Sequence, residues 1–516
     1  MSDELLGLNL SESVPLAPSP AERAMTAGLF GGFAALCVSA ILWLFLGTPF
    51  IPLRVADAIF AVLPISIVAF GVAFLGPWAK RFAFACCVAG YLVLLALVAR
   101  MLARRAPEPA LSHGALLGVV VWLVASLTVV PLVGGGVFGL SWGPNRWLSA
   151  GSLLATGLVY GMCTVAALGR LNADDALARR GAGLLDRRTV FRGLIGAGVV
   201  VLAVEGFRTI VDALGIGSNA MVSGGSGVFP DIDGLSREVT PTADFYHVSK
   251  NVFDPEGPDP GWTLSIGGLV DRPMSLSLNE LQSRPASEAF ATLECIDNQV
   301  GGDLIGNALW RGGSVGDLLR EAGTAAGAVD IVFRALDDYT DGISIEKALE
   351  PGALLAYDMN GAPLNSTHGA PLRLIAPGIF GMKNVKWITS VEVVATDYKG
   401  YWQRRGWDDR APYQTMSRID VARASGAGRP ATIAGIAFAG DRGIARVEVS
   451  TDGGRTWTDA QLRPPLSPNA WVLWLYEWTP PAAGSYSVVV RATDGKGEVQ
   501  TEKRVGPVPS GSTGWH

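Results

Sequence analysis

The spacing of apolar and polar residues changes character near residue 215. Before that point the chain is built from long apolar runs. Beyond about residue 240, apolar and polar positions alternate over short distances. A helix needs about 20 apolar residues to cross the hydrocarbon of a bilayer. Five runs meet that length, at 25–47, 57–76, 82–102, 114–133 and 147–168. A sixth, "GLIGAGVVVLAVEGF" at 193–207, continues through "RTIVDALGI" and is interrupted by Glu205 and Arg208. It reads as a further span or anchor, against the alternative of a buried soluble helix. The pattern predicts a tail at 1–24 and an all-α transmembrane bundle of about six helices over 25–214.

A Gly-, Ser- and Pro-rich stretch at 215–240 reads as a linker. Mixed periodicity follows over 241–415. "WTLSIGGLV" (262–270) alternates as a strand, and "SLNELQSR" (277–284) opens with a helix cap. "AFATLECI" (289–296) is a strand, and "SVGDLLREAG" (314–323) is a short amphipathic helix ending at glycine. "AVDIVFRAL" and "APLRLIAP" add strands, so this region is expected to be an α+β domain. From 425 to 516, short alternating strands with "DGG" and "DGKG" turns predict an immunoglobulin-like β-sandwich of about 90 residues.

Charge adds orientation. The chain carries 41 Lys and Arg against 46 Asp and Glu, with no dense basic run, which excludes nucleic acid as an expected partner. With six spans and an outer N-terminus, ten basic residues fall on the inner side and four on the outer. That arrangement makes a multi-pass protein of the cell membrane whose large C-terminal region faces outward. "DRRTVFRGLIGAGVVVL" (186–202) resembles an internal twin-arginine export signal, the competing reading being a stop-transfer charge cluster. Of the four histidines only His113 is near a span, which argues against a bis-histidine haem in the membrane. The spans are expected to anchor the chain in lipid or dock a partner.

Four of the five cysteines (Cys37, Cys86, Cys87, Cys163) lie in the apolar half. The fifth, Cys295 in "ATLECIDNQVGG", stands alone in the polar half, so no intrachain disulfide framework exists there. On residues alone it is an inert core thiol, a nucleophile served by His247 or His368, or a metal ligand. These options stay open at this level.

Three ordered motifs carry a resemblance. "LECIDNQVGGDLIGNALWRGGSVGDLL", then "LLAYDMNGAPL" with "HGAPLRLIAPGIFGMKNVKWITSVEVV" (368–394), then "IARVEVSTDGGRTWTDAQL" resemble the sulfite oxidase family, including its periplasmic methionine sulfoxide reductase branch. The likeness covers about 240–516 and leaves the apolar half outside. It implies a molybdenum–molybdopterin cofactor with Cys295 as metal ligand and catalytic centre. It implies pterin contacts from Phe245, Tyr246, His247, Val248 and Ser249 in "DFYHVSKN". Further contacts are implied from Asp337, from His368 and Arg373, and from Asn384, Val385 and Lys386. The C-terminal domain would then be a dimerisation domain, giving a homodimer.

Departures from the family bear on substrate. Arginines that surround the oxyanion in sulfite oxidases fall here on Val248 and Val300, and the active-site tyrosine falls at or near Asp341. An anion without such a clamp faces several kcal/mol of desolvation. The expectation is a membrane-anchored molybdenum oxidoreductase moving an oxygen atom on a neutral sulfoxide- or N-oxide-like substrate. A sulfite oxidase and a non-catalytic binding module are the alternatives. No haem or iron–sulfur cysteine cluster is present, so an external electron-transfer partner or a quinone is implied.

Overall fold

The computed structural model describes residues 19–63, 67, 78–103, 111–142, 146–178, 232–251, 254–255, 261–424 and 428–516. The sixth apolar run, the paired arginines at 187–188 and most of the expected linker lie outside these residues. The chain forms two compact units, Met1–Gly215 and Ile216–His516.

In the first unit, helix α1 (Pro20–Leu46) starts at a capping box, where Ser19 and Glu22 exchange side-chain and backbone hydrogen bonds. It ends at Gly47 with φ 62°. Helices α2 (Ile51–Val62), α3 (Trp78–Ala103), α4 (Leu111–Leu127) and α5 (Arg146–Ala178) follow. Among the described residues four apolar stretches are long enough to cross a membrane: Pro20–Trp43, Arg81–Met101, Ser112–Leu132 and Arg146–Ala173.

Side-chain neighbours fix their directions. Gly28 packs on Ala99 and Gly32 on Leu92, so α1 and α3 are antiparallel. Arg23 Nε donates to Asn172 Oδ1 (3.0 Å) and Gly31 packs on Thr164, so α1 and α5 are antiparallel. Gly114 meets Gly161 and Gly118 meets Gly157, so α4 and α5 are antiparallel. At that last crossing the backbones nearly touch. A Cβ on Gly161 would lie 2.1 Å from Gly114 O, and one on Gly118 would lie 2.5 Å from Gly157 O. Small residues allow such close approach between apolar helices.

The C-terminal end of α1 and the N-terminal end of α3 lie at the same end of the bundle. Most of the apolar run at 57–76 lies outside the described residues.

The second unit is richer in strand than expected, with three short helices. One five-stranded sheet runs β2 (Met274–Ser277), β1 (Thr263–Gly268), β10 (Ile388–Val394), β5 (Asp330–Ala335), β6 (Thr340–Ser344), with β1 and β10 parallel. Leu264, Ile266, Ile331, Phe333 and Val391 alternate inward from it. They pack with α7 (Val315–Ala322), which begins at the Ser314 cap and stops at Gly323, φ 73°. The helix cap expected in "SLNELQSR" is a capping box of Ser277 with Glu280 that starts α6 (Leu278–Gln282), and α8 (Ile345–Leu349) follows β6.

A second sheet joins β3 (Ala286–Glu294), β4 (Ile305–Ser314), β7 (Leu354–Met359) and β8 (Ala362–Pro363), with β9 (Arg373–Ile375) paired to β7. The C-terminal region holds two further sheets. One is β11 (Met416–Ala424), β12 (Ala431–Phe438), β16 (Val472–Trp478), β15 (Gln461–Leu462). The other is β14 (Thr458–Asp459), β13 (Ile444–Ser450), β17 (Val489–Asp494). Ile433, Val447, Trp474 and Val490 from both sheets share one core.

Candidate functional site

The second sheet delivers the thiol. β3 pairs with β4 along its whole length, down to Glu294 opposite Ile305, and Cys295 is the next residue. Cys295 N donates to Leu304 O (2.9 Å), and Asn298 N donates to Cys295 O (3.0 Å), which turns the chain sharply after the strand. Cys295 is buried. The Glu294 side chain faces a separate polar pocket lined by Asn298, Ser417, Gln500 and Thr513. Burial raises its carboxyl to about 7, although Asn298 Nδ2 donates to Oε1 (2.9 Å) and Arg418 is nearby.

Beside the thiol lies an open cleft, walled by three stretches of chain. Phe245, Tyr246, His247 and Val248 form one wall, Thr367, His368 and Arg373 the second, and Gly381, Asn384 and Lys386 the third. Tyr246 links the cleft to the thiol. Its phenol is raised well above the usual range by burial, then by the neighbouring Cys295 and Tyr413, against a lowering from Arg373.

Gly369 brings the second and third walls together. Its φ is 112°, and a Cβ there would sit 2.9 Å from Lys386 Cβ and 3.2 Å from Arg373 Cβ. Trp387 adopts φ 53°, rare for a bulky side chain, and its Nε1 donates to Ser366 O (2.7 Å). The glycine and the tryptophan hold the two cationic side chains next to each other.

Arg373 is the most telling group. It is 5% exposed and lies 4.8 Å over the Trp310 ring. Nη1 donates to His368 O (3.0 Å), while buried Nε makes no hydrogen bond. Among the described residues no carboxylate pairs with it. Burial lowers its pKa to about 10. A buried guanidinium left this way fits an anionic ligand with hydrogen-bond acceptors. Lys386 Nζ donates to Thr367 O (3.1 Å) and stands 4.1 Å over the Trp387 ring.

His368 is neutral in the fold, its pKa lowered to about 3 by burial first and by Arg373 and Lys386 after it. Nε2 lies 2.9 Å from Thr242 O, a pure acceptor, so Nε2 carries the proton and Nδ1 is an acceptor. His247 Nε2 pairs with Asp254 Oδ2 at 2.5 Å. Burial works against the Asp254 charge, but His247 and Lys386 hold its pKa at about 2.

The expected residues do not all share the cleft. Ser249 is outside its wall and accepts from Asn251 N (3.1 Å). Asp337 is turned to other partners, accepting from Asn251 Nδ2 (2.8 Å) and Tyr339 N (3.1 Å) with Lys250 Nζ at 3.5 Å. Asn384 N donates to Gly381 O (3.0 Å) and Val385 N to Lys383 O (3.1 Å), so both amides serve the loop itself. The Asn384 side chain does the same, accepting from Ala376 N (2.7 Å). The sequence reading missed Thr367, Gly381, Asp254 and Tyr413. Thr367 and Gly381 directly flank quoted motif residues, but Asp254 and Tyr413 carry no sequence signal.

Residues 250–402 match the oxidoreductase molybdopterin binding domain, and residues 414–515 match the Mo-co oxidoreductase dimerisation domain. A sulfite oxidase of Arabidopsis thaliana is 29% identical over 334 residues, covering 52% of this chain and 84% of that protein. A sulfite oxidase of Gallus gallus is 33% identical over 337 residues, covering 54% of this chain and 72% of that protein. The crystal structure of the sulfane dehydrogenase SoxCD from Paracoccus pantotrophus is 26% identical and covers 55% of this chain and 81% of that one, with a TM-score of 0.47. The thiol at the strand end, the cation-walled cleft beside it and these two matched domains belong together: the chain is a member of the sulfite oxidase family of molybdopterin-dependent oxidoreductases.

Proposed function

We propose that the protein is a membrane-anchored enzyme that moves an oxygen atom on a neutral sulfoxide- or N-oxide-like substrate. The cofactor supplies two-electron oxygen-atom exchange at its metal. Cys295 is the protein ligand, its thiolate matched to a redox metal. Arg373 and Lys386 hold the pterin's phosphate, and the unprotonated Nδ1 of His368 accepts from a pterin N–H. Phe245, Tyr246, His247 and Val248 pack the opposite wall.

The observation that carries the neutral-substrate reading is Val248. It lines the cleft and is 42% exposed, where sulfite oxidases place a cation. Val300, the second such position, lines the polar pocket of Glu294. The competing reading, sulfite oxidation, draws on the names of the relatives in Arabidopsis thaliana and Gallus gallus.

The helix order bears on orientation. With α1 antiparallel to α3 and α5, residues 20, 103 and 178 share one end of the bundle. That end carries Arg23, Arg100 and Arg170 and adjoins the Arg-rich stretch 179–192, again ten basic residues against four. On the positive-inside rule this favours a cytoplasmic N-terminus, with the catalytic unit facing outward. The β-sandwich in immunoglobulin-like layout supports a homodimer, and electrons come from another protein or a quinone.

Metal analysis of wild type beside Cys295→Ser, with turnover of sulfoxides, N-oxides and sulfite on an artificial electron mediator, tests the reading. Molybdenum lost with the thiol and turnover of neutral substrates support it. Saturable, efficient sulfite oxidation by the wild type sinks the neutral-substrate assignment.

A further inference from the structure

Two further lysines adjoin cleft-lining residues in sequence. Lys250 lies two residues after Val248, and Lys383 lies between Gly381 and Asn384. Neither points its charge into the open. Lys250 Nζ is 3.5 Å from Asp337 Oδ2, with the two side chains 13% and 6% exposed. Lys383 Nζ donates to Asp341 Oδ1 at 2.9 Å, with the two side chains 4% and 0% exposed. Both acids lie within the turn and strand start around Tyr339.

The second pair is fully built. Asp341 also accepts from Gly342 N (2.8 Å) and Gln403 Nε2 (3.2 Å), and the Tyr339 hydroxyl lies 3.1 Å from Oδ2. Lys383 Nζ donates again to Gly342 O (2.7 Å). Asp409 is 3.8 Å from Lys383 but is 39% exposed and closer to Lys399, at 2.6 Å. Burial pushes the Asp341 carboxyl up while Lys383 pulls it down. Wherever the proton sits, the Asp341–Lys383 pair is net neutral. A buried pair of this kind seldom adds stability over an apolar replacement, so its effect on the local field is the consequence to follow.

We propose that Asp341, seconded by Asp337, sets substrate charge selectivity: by cancelling Lys383 and Lys250 it keeps their charge from an oxyanion at the metal, while Arg373 and Lys386 serve the cofactor's phosphate. An oxyanion arriving at the metal then finds no net positive field, and a neutral substrate loses nothing. Uncovering one charge on the order of 10 Å from a bound anion, at an effective dielectric near 20, strengthens anion binding roughly tenfold. This inference rests on the neutral-substrate reading above.

The test uses detergent-purified, molybdenum-loaded full chain, with sulfate as a non-reacting oxyanion and dimethyl sulfoxide as the neutral ligand. Binding is followed by the cofactor's visible absorption, normalised to molybdenum content, at low and high ionic strength. Asp341→Asn is expected to bind sulfate roughly tenfold more tightly, with the gain reduced by salt and the sulfoxide affinity unchanged. Asp341→Asn with Lys383→Met is expected to return to wild-type sulfate affinity, and Lys383→Met alone to bind sulfate more weakly still. Unchanged sulfate affinity in Asp341→Asn overturns the proposal. So does a gain that survives the second substitution, which would make it steric, and so does loss of molybdenum in place of an anion effect. Efficient sulfite turnover by the wild type would instead refute the neutral-substrate reading, separately from the sulfate comparison.

Discussion

Removing the charge of Arg373 should act in opposite directions on the empty and the loaded protein. In the empty fold the guanidinium is an expense: its pKa falls from 12.5 to about 10, a displacement equivalent to about 3 kcal/mol. Arg373→Met keeps most of the side-chain volume. It forfeits one hydrogen bond to His368 O, about 1 kcal/mol, and the cation–π contact with Trp310, about 1 kcal/mol. The balance is a gain of about 1 kcal/mol for the empty catalytic unit. With cofactor present, the same change removes a charge-assisted contact to phosphate, worth about 2–3 kcal/mol, so affinity should fall on the order of 30–100-fold. Pulse proteolysis in urea on full chain from hosts with and without pterin synthesis, reading survival of the catalytic unit, measures both signs. Molybdenum and pterin content measures the loading directly. A variant whose empty form is destabilised by 2 kcal/mol or more, with normal loading, would show that Arg373 is a structural cation and refute the reasoning.

Other expectations follow from individual contacts. His368 has a folded pKa of about 3 against 6.5 when free, so its contribution is complete above pH 6.5 and is lost as pH falls toward 3. The empty catalytic unit should lose roughly 3 kcal/mol by pH 4 through this group, and His368→Gln should flatten that part of the stability-versus-pH curve. An identical slope in the variant would refute the assignment. Gly161→Val should force α4 away from α5, lowering bundle stability by about 1–3 kcal/mol and weakening cysteine cross-links engineered between the two helices. Undiminished cross-linking would contradict the close approach. Cys295→Ser should leave far-ultraviolet circular dichroism unchanged while molybdenum falls to background, and retained metal would exclude the thiol as ligand.

Local rules made much of the catalytic unit legible. The Ser277 capping box, the glycine stop at 323 and the strand ending before Cys295 each depend on residues close in sequence, and each appears as expected. The cleft walls at 245–248 and 368–373 were also reachable, because the motif residues there are themselves contact residues. Non-local contacts were not legible: Asp337 pairs with Lys250 and accepts from Asn251, 87 and 86 positions earlier. Asp254, seven positions after His247, lies at its ring without any sequence signal for the pairing. The relative direction of the apolar helices was not legible either, since hydrophobic length is a scalar and the pairing of α1 with α3 is a vector.

That pairing has a consequence for how the chain tolerates change. The stretch joining α1 to α3 starts and ends at one end of the bundle. In the membrane-anchored arrangement proposed above, shortening it, or fusing a reporter into it, should leave the sidedness of everything downstream intact. Deleting any single member of α1, α3, α4 or α5 should instead invert the remainder and strand the catalytic unit on the opposite face.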